Sequence, residues 1–506
     1  NAGNTYIAGF TDSLNFPMAS ATQPVFGGGR QDAFVVKLDP TGTRVIYSTY
    51  LGGDQQDNAT GIAVDVTGNV WLTGFTASTN FPVMNAFQPN RAGLLDAFVS
   101  RLDAGGSLVY STHLGGSGSD YGSSVVMDAS GNVYVSGMST SVNFPLASAM
   151  QSSFGGVVDM YVAKFNASGR QLVYSTFLGG AGIDGASSIA VDSAGSIYVT
   201  GLTSSPNLRI VNALQPRFGG GLFDAFVAKL NASGSQLIYS TYLGGSREDR
   251  GLRVAIDDEG NAYVTGDTDS FNFTTTTGAL QANTGGGADA FVAKLNSSGN
   301  QLIYSSYLGG SGIEAGTAIA VDARGSAIVT GFTGSTNFPT SRALQQTFGG
   351  GSFDGFVAKI GATGTALDYS SYLGGTDVDS GFGVAMDAAG SLFIMGLTRS
   401  IDFPTAGALQ RNNAGGASDL FVAKIKPGPV ISDVSIRGKN LFVAGGIFDQ
   451  DAVILLDGEQ QKTVFQSSTE LKGKKVARKI FPGQAVRLQV RNADGLTSSE
   501  FNYTRP

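Results

Sequence analysis

The chain has 506 residues, which allows one large repeat domain with an appendage or two or more separate domains. It contains no cysteine and one histidine, so disulfides, thiolate chemistry and zinc sites built from Cys and His are excluded. The net charge is −7, with 21 Lys/Arg against 31 Asp/Glu before Gly428 and 11 against 8 from there on, and this acidic balance predicts no nucleic-acid partner.

The sequence up to Ile425 repeats with a period of about 65 residues. Each unit holds four short runs of Val, Ile, Tyr, Phe and Thr bounded by Gly, Asn and Asp, which is typical of strands. The first two runs are joined by D-x-x-G turns such as Asp65–Gly68, in which the carboxylate accepts turn N–H groups and Gly adopts a positive φ. Segments related to DAFVVKL mark the third run of seven units and begin at Asp32, Asp96, Asp159, Asp224, Asp289, Asp354 and Asp419.

These units predict an all-β fold, a seven-bladed β-propeller of four-stranded antiparallel blades over residues 1–426. Small residues such as Gly61 and Ala63 in the first run predict that it is the innermost strand. Runs two and three occur seven times but runs one and four six times, so the terminal repeats are incomplete. We expect the unpaired edge to be filled by the chain's own other end, by the C-terminal domain or by a neighbouring subunit. A ring of six blades with spare strands is the alternative.

The repeat resembles a known family. The segments LIYSTYLGG, SIAVD, GNVYVSG, STNFP and DAFVAKLN are similar to the bacterial seven-bladed β-propeller repeats called SBBP repeats, over about residues 1–425. The resemblance implies a secreted or cell-surface bacterial protein, and it implies no established activity. Because Asn1 aligns just past the end of an inner strand, we expect the chain to be a processed or trimmed part of a longer precursor.

The repeat ends at Lys426–Pro429, whose two prolines predict a rigid linker. Residues 427–506 then alternate in segments such as NLFVAGGIF, AVILLDG and AVRLQVRN, which are typical of a small β-sandwich. Their order resembles IPT/TIG immunoglobulin-like domains, which mediate contacts or spacing. The matching features are Gly438 to Phe448, the Leu456-Asp457-Gly458 turn, Pro482-Gly483 and Asn492-Ala493-Asp494-Gly495.

One acidic residue recurs four places after each LGG sequence. If the strand that follows is innermost, these carboxylates can ring one mouth of a central channel and hold Ca²⁺ or a cationic ligand. The alternative is that each carboxylate caps its own glycine-rich loop, because a repeat copies its turn chemistry whether or not it binds anything. The six positions are Asp57, Asp120, Asp184, Asp249, Glu314 and Asp379.

Further recurring residues predict structural roles. The acid that opens each third run has a base five residues later, which predicts ion pairs between blades; the bases are Lys37, Arg101, Lys164, Lys229, Lys294, Lys359 and Lys424. The loop before that run carries a Phe-Pro pair in five copies, as at Phe338-Pro339, and a Gln in all seven. We interpret the Phe as a packing residue of the loop and the Gln as a clamp that binds the backbone. His113 stands where other copies have Tyr or Phe, so we expect it to pack rather than act as a base. A basic patch that can meet an acidic or anionic surface consists of Lys472, Lys474, Lys475, Arg478 and Lys479.

The sequence contains no Ser/His/Asp set, metal-ligand cluster or phosphate-binding loop, so we predict no enzyme, no catalytic residue and no cofactor other than the Ca²⁺ considered above. The sequence contains no run of 18 apolar residues, so it predicts no transmembrane segment. We expect a non-enzymatic extracellular or cell-surface structural protein whose partners are copies of itself and which can form filaments or layers. One alternative is an adhesion or carbohydrate-binding module with cell-surface glycans as partners, although the single tryptophan, Trp71, lies within a strand and is a poor platform for a sugar. The second alternative is a carboxylate-based polysaccharide-active enzyme.

Overall fold

The computed structural model describes residues 3–387, 390–426, 428–446, 448, 450–467, 469–493, 497–498 and 500–506. Pro427 of the predicted linker and Asp494-Gly495 of the predicted last turn lie outside the described residues. The chain divides into two compact units, residues 1–385 with 393–423 and residues 386–392 with 424–506. The predicted domain boundary at 426/427 lies close to the change of unit at 424.

The first unit consists of seven antiparallel sheets that follow each other along the chain. The first sheet contains β1 (Thr5–Thr11), β2 (Asp32–Leu38) and β3 (Val45–Leu51). Five four-stranded sheets follow: β4 (Asp57–Val64), β5 (Val70–Thr76), β6 (Asp96–Leu102), β7 (Leu108–Leu114); β8 (Asp120–Met127), β9 (Val133–Ser139), β10 (Asp159–Phe165), β11 (Leu172–Leu178); β12 (Asp184–Val191), β13 (Ile197–Thr203), β14 (Asp224–Leu230), β15 (Leu237–Leu243); β16 (Asp249–Ile256), β17 (Ala262–Thr268), β18 (Asp289–Leu295), β19 (Leu302–Leu308); and β20 (Glu314–Val321), β21 (Ala327–Thr333), β22 (Asp354–Ile360), β23 (Leu367–Leu373). The seventh sheet contains β24 (Asp379–Met386), β25 (Leu392–Thr398) and β26 (Asp419–Ile425).

The turns within each sheet form as the D-x-x-G pattern predicts. In the turn between β12 and β13, Gly195 N–H donates to the carbonyl of Asp192 at 2.9 Å, and Ser196 N–H donates to the Asp192 carboxylate at 2.8 Å. Gly195 adopts φ 82°, a left-handed conformation that costs little only without a Cβ. The turn chemistry of the repeat therefore fixes the register of its strands.

The first strand of each complete unit lies at the edge of its sheet, next to the first strand of the following sheet. Each carries a bulge against its neighbour, as between Ala59 and Gly61 on β4. The bulged Thr60 donates from its Oγ1 to the carbonyl of Gly122 on β8 at 2.6 Å, and Thr317 donates to Gly381 in the same way at 2.6 Å. These contacts place consecutive small-residue strands next to one another, which agrees with the prediction that they are the innermost strands.

The core lies in layers between successive sheets. Tyr174 of the third sheet and Phe226 of the fourth belong to one buried cluster, and equivalent clusters lie between each other pair of neighbours from the first sheet to the sixth. The first sheet also packs against the seventh, because Ile7 and Phe34 share a cluster with Met395 and Leu420. The first five sheets are thus packed on both faces, and the first and seventh sheets also pack on each other, which is consistent with a β-propeller.

The second unit also consists of strands, which form two four-stranded sheets with the orders β27-β28-β32-β31 and β30-β29-β33-β34. Leu441 and Leu471 of one sheet share a buried cluster with Ile454 and Leu488 of the other. The unit is therefore a two-sheet β structure, and its likeness to IPT/TIG domains stays a prediction. Its elements are β27 (Val430–Arg437), β28 (Asn440–Gly446), β29 (Val453–Leu456), β30 (Glu459–Gln460), β31 (Thr463–Ser467), β32 (Glu470–Gly473), the 3-10 helix Val476–Lys479, β33 (Ala485–Arg491) and β34 (Phe501–Thr504).

Candidate functional site

The six recurring carboxylates are the first residues of β4, β8, β12, β16, β20 and β24, the first strands of their sheets, and all are fully buried. Asp120 accepts a hydrogen bond from Gly116 N–H at 2.7 Å, from Ser141 Oγ at 2.8 Å and from Ser139 Oγ. These donors belong to the loop before β8 and to the end of β9. The carboxylate therefore ties its glycine-rich loop to the neighbouring strand, which agrees with the capping interpretation.

The same contacts recur where the acid differs. Glu314 accepts from Gly310 N–H at 2.8 Å, from Thr333 Oγ1 at 2.8 Å and from Ser335 Oγ at 2.5 Å, so a longer side chain reaches the same donors. Among the described residues, no group of three or more His, Cys, Asp or Glu side chains could hold a metal ion. The calcium interpretation of these six positions stays a prediction, and each carboxylate already accepts at least one hydrogen bond from its own loop.

A second buried carboxylate faces the first across a glycine, a relationship that the sequence analysis missed. Asp96 opens β6 of the second sheet, and Asp120 opens β8 of the third. A Cβ on Gly115, between them, would lie 2.7 Å from Asp120 Oδ2 and 2.9 Å from Asp96 Oδ1. The two acids are always 24 or 25 residues apart in the sequence, and this regular spacing was the signal that could have indicated the pairs. Successive sheets are thus joined at a pair of acids: Asp96 with Asp120, Asp159 with Asp184, Asp224 with Asp249, Asp289 with Glu314, and Asp354 with Asp379. Asp32 and Asp57 form the corresponding pair, in which the charge of Asp57 helps to raise the pKa of Asp32.

One carboxyl group of each acid pair has a pKa above its ordinary value. Burial raises the pKa of Asp224 to about 7, opposed by N–H donation from Gly219 and reinforced by the charge of Asp249. Burial likewise raises the pKa to about 6 for Asp32, Asp159, Asp289 and Asp354. Two carboxyl groups at close range cannot both ionise without cost, so one member of each pair retains its proton to a higher pH.

The predicted ion pairs between blades are wrong. Lys229 Nζ lies 3.3 Å from Asp192, the acid of the turn within its own sheet, and not beside the acid that opens its own strand. Lys164 pairs with Asp128 in the same way at 3.6 Å. The reason is strand geometry: an acid five residues away on one strand lies more than about 15 Å along it, whereas the turn acid lies beside the strand's other end. The remaining pairs are Arg101 with Asp65, Lys294 with Asp257, Lys359 with Asp322 and Lys424 with Asp387.

The recurring Gln and Phe residues have the predicted roles. Gln215 accepts from Gly244 N–H at 3.0 Å and donates to the carbonyl of Arg217 at 3.0 Å, so it clamps two backbone segments. The Phe338 ring is 3% exposed and lies 4.6 Å from the Phe356 ring. Both residues serve loop packing.

His113 and Trp71 lie in the core. His113 is 1% exposed, its ring lies 5.9 Å from Phe81, and burial lowers its pKa to about 4, so it is neutral near pH 7. Trp71 is 2% exposed and packs 5.6 Å from Tyr110. The packing prediction for His113 is confirmed, and the Trp71 ring offers no surface platform.

The predicted basic patch lies in the second unit on β32 and the segment after it. Lys472 Nζ lies 5.7 Å from the centre of the Phe442 ring, and Lys479 donates to Gln461 Oε1 at 2.7 Å. These contacts place the patch on the unit's surface without indicating a ligand. None of the described helices is long and apolar enough to cross a membrane.

Antiparallel sheets that repeat along the chain with one turn chemistry and one pair of buried acids form a repeat architecture that is consistent with a β-propeller. The family model described as "Beta-propeller repeat" (SBBP) matches residues 46–82, 109–145, 173–209 and 238–274. A curated protein, "Regulatory protein FlaEY" of Caulobacter vibrioides, is 26% identical over 440 residues, which cover 81% of this chain and 43% of that protein. The chain thus spans less than half the length of the curated relative that it matches.

Solved structures give weaker likenesses. A copper-bound fungal alcohol oxidase of the AA5 family is 10% identical with a TM-score of 0.41, and the match covers 100% of this chain and 95% of that one. A polysaccharide lyase, ulvan lyase of family PL25, is 10% identical with a TM-score of 0.39, over 78% of this chain and 87% of that one. Both TM-scores lie below 0.5, so neither activity bears on this chain.

Proposed function

We propose that this chain is a non-enzymatic structural protein of the bacterial cell exterior, whose seven sheets are the blades of one propeller and which self-associates through its incomplete seventh sheet. The observation that carries the proposal is that, among the described residues, β26 ends a three-stranded sheet, where the five complete sheets have a fourth strand. An unpaired edge presents a row of N–H and C=O groups that a strand from another chain can satisfy.

Apolar exposure at the β26 edge supports association. Val422 on β26 is 36% exposed, whereas its counterpart Val227 in a complete sheet is fully buried. Covering such surface is favourable by roughly 25 cal/mol per Å², so a partner strand would gain both hydrogen bonds and burial.

The chemistry of the repeats supports a role without catalysis. The carboxylates that recur most regularly are buried and hydrogen-bonded to their own loops, and His113 is buried and neutral near pH 7. A protein used for its shape can keep its repeats uniform, whereas a catalytic site requires one repeat to deviate. Placement outside the cell is supported by the resemblance to SBBP repeats.

Light scattering combined with intact mass, followed by electron microscopy of the same sample, tests the proposal. We expect assemblies that grow with protein concentration. Val422→Lys places a charge at the β26 edge and should shift the population toward monomer. Val66→Lys is the matched control, because Val66 is 88% exposed on a turn of the second sheet and away from the β26 edge. A compact monomer at every concentration would contradict self-association.

A second function, adhesion to an apolar protein surface, is favoured by the loops between the second and third strands. Because these loops all leave the ends of equivalent strands, they emerge on one side of the unit. They carry large apolar side chains that are more than half exposed: Leu14, Val25, Leu94, Val142, Val157, Leu222, Phe271, Leu344, Ile401 and Leu409. Only one of these ten is aromatic, which favours a protein partner over a glycan.

The double variant Leu222→Ser with Leu344→Ser tests this second function. It should reduce adhesion to cell surfaces, and we expect no binding to a glycan array. Unchanged adhesion of the variant would remove this candidate.

A further inference from the structure

The first strands of the sheets carry a small residue at one fixed position, and Arg253 on β16 is the exception. The position follows the bulge directly, so that Arg253 lies opposite Thr265 as Gly61 on β4 lies opposite Thr73. A Cβ on Gly61 would lie 3.1 Å from the Cα of Ser124 on β8, so there is little room between successive first strands at this level. The residues equivalent to Arg253 are Gly61, Ser124, Ser188, Ala318 and Gly383.

The Arg253 guanidinium turns back over the middle of its own strand. Its Nη1 donates to the carbonyl of Leu252 at 3.0 Å and to the carbonyl of Ser187, the bulged residue of β12, at 3.3 Å. Nε and Nη2 donate to no group among the described residues. The side chain is partly exposed, yet enough protein surrounds it that burial lowers its pKa. The guanidinium therefore lines an enclosed space that solvent can reach.

No carboxylate of the described residues pairs with Arg253. The acids nearest to it along its strand, Asp249 and Asp257, are each four residues away, which is roughly 13 Å. Asp249 caps its own loop, and Asp257 pairs with Lys294 at 3.1 Å, so both carboxylates are already engaged. The flanking first strands β12 and β20 have their acids at the same two ends: Asp184, Asp192, Glu314 and Asp322.

Arg250, three residues earlier on β16, has the counter-ion that Arg253 lacks. Arg250 Nη2 lies 2.9 Å from the Asp267 carboxylate, to which Arg250 Nε also donates at 3.0 Å. Other sheets have an apolar residue in place of Asp267, such as Leu202 or Phe332, so this acid occurs together with the arginine. An enclosed cation without a counter-ion is costly, and the space beside Arg253 therefore favours an anion.

Ser187 supplies a second donor beside Arg253. The equivalent bulged residues of β4 and β20, Thr60 and Thr317, each donate their hydroxyl to a carbonyl of the following first strand. The Ser187 hydroxyl has no hydrogen-bond partner among the described residues, although the Ser187 carbonyl accepts from Arg253. A guanidinium with two free nitrogens and a neighbouring hydroxyl form a donor set that suits an oxyanion.

We propose that Arg253 and Ser187 form a binding site for one oxyanion group, a carboxylate, a sulfate or a phosphate, between β12 and β16. Nε and Nη2 of a guanidinium lie in one plane and can bind two oxygens of such a group, and the Ser187 hydroxyl donates to one of them. The bound anion neutralises the enclosed cation. In the propeller proposed above, the first strands surround the central channel, so the anion enters from that channel.

Isothermal titration calorimetry of the whole chain with sodium sulfate, and separately with sodium acetate, tests the site at an ionic strength held constant with NaCl. We expect saturable binding of at least one of the two anions. Arg253→Ser should weaken this binding at least about tenfold, and it should fold because β8 and β12 carry serine at this position. Arg209→Ser is the matched control, since it removes the same charge from an exposed loop position and should bind as the parent does.

The two anions distinguish the sources of the oxyanion group. Arg253-dependent binding of sulfate alone would assign the site to tetrahedral oxyanions. Arg253-dependent binding of acetate would show that the site accepts a carboxylate, such as that of an organic acid. Either result supports the proposal. No saturable binding of either anion would overturn it.

Three further variants separate anion binding from a purely structural role. Arg253→Gln keeps a donor for the two carbonyls and removes the charge, so it should fold and lose binding as Arg253→Ser does. Ser187→Ala should weaken binding about threefold, whereas Ser123→Ala, at the bulge of β8, should leave it unchanged. Equal titrations of the parent, Arg253→Ser and Arg253→Gln would show that Arg253 only clamps two carbonyls, and would overturn the proposal.

Anion binding and self-association fail separately. A chain that binds sulfate or acetate through Arg253 but stays monomeric in light scattering would remove self-association and leave the anion site. Assemblies that form while the titrations show no Arg253-dependent binding would remove the anion site and leave self-association.

Discussion

Asp224 and Asp249, which open strands of two successive sheets, approach the same backbone carbon: a Cβ on Gly244 would lie 2.8 Å from an oxygen of each. Asp224 uses its other oxygen to accept from Gly219 N–H at 2.6 Å, while Asp249 accepts from Gly245 N–H at 2.7 Å and Ser270 Oγ at 2.9 Å. Each junction between complete repeats therefore depends on two buried acids and on a glycine that keeps them close.

The acid pairs predict stability that falls as the pH rises from about 4 to about 7. The pKa of Asp224 is raised to about 7 in the folded chain, above its ordinary value of 3.8, so the folded state binds the proton more tightly than the unfolded state. That contribution is complete below about pH 4 and is lost as the pH passes the folded pKa. Asp32, Asp159, Asp289 and Asp354 act in the same direction.

Asp224→Asn tests this dependence directly. Asn keeps the acceptor for Gly219 and removes the charge, so the free energy of unfolding at pH 8 should rise by about 1–2 kcal/mol. The gain should be much smaller near pH 4, where Asp224 is protonated in the folded state and only partly ionised in the unfolded state. Thermal melts from pH 4 to 8 measure the effect; a variant less stable than the parent at pH 8 would show that Asp224 is needed as a carboxylate.

Gly244→Ala should destabilise the protein by about 1–3 kcal/mol, because the added Cβ would collide with both acids. Gly185→Ala is the matched control: its Cβ would meet nothing closer than 3.6 Å and its backbone is not left-handed. We expect the control to change stability by less than about 0.5 kcal/mol. Denaturant melts of the two variants decide it, and equal effects would mean that glycine is not required at the junction.

Most of the first unit could be predicted from its period, because turn chemistry and strand composition recur at fixed spacing. The capping role of Asp120 and the clamp formed by Gln215 followed from the same repetition. The acid pairs could not be predicted so readily, because Asp224 and Asp249 come together only once two sheets are stacked. The partner of Lys229 was misassigned for a related reason: the sequence offers two acids at regular spacing, and only the cross-strand register selects Asp192.

The ion pairs between a base and its turn acid should contribute more to the free energy of unfolding where both side chains are more buried. Lys229 and Asp192 are 12% and 17% exposed, whereas Lys424 and Asp387 are 44% and 27% exposed. Lys229→Met should cost about 1–3 kcal/mol, because it leaves Asp192 half-buried without its cation. Lys424→Met should cost less than about 0.5 kcal/mol. Denaturant melts compare them, and equal costs would show that the pairs contribute through chain packing and not through charge.

Calcium should leave the melting temperature unchanged if the six recurring acids are loop caps. Each already accepts hydrogen bonds from protein donors, as Asp120 does from Gly116, Ser139 and Ser141. A cation would have to displace these donors and enter a fully buried position. Melts with millimolar CaCl₂ and with EDTA should therefore coincide within about one degree, since binding to the folded state alone would raise the transition with ligand concentration. A saturable rise of the melting temperature with Ca²⁺ that Asp120→Asn reduces would instead establish a calcium site. It would also show that these carboxylates have a role other than loop capping.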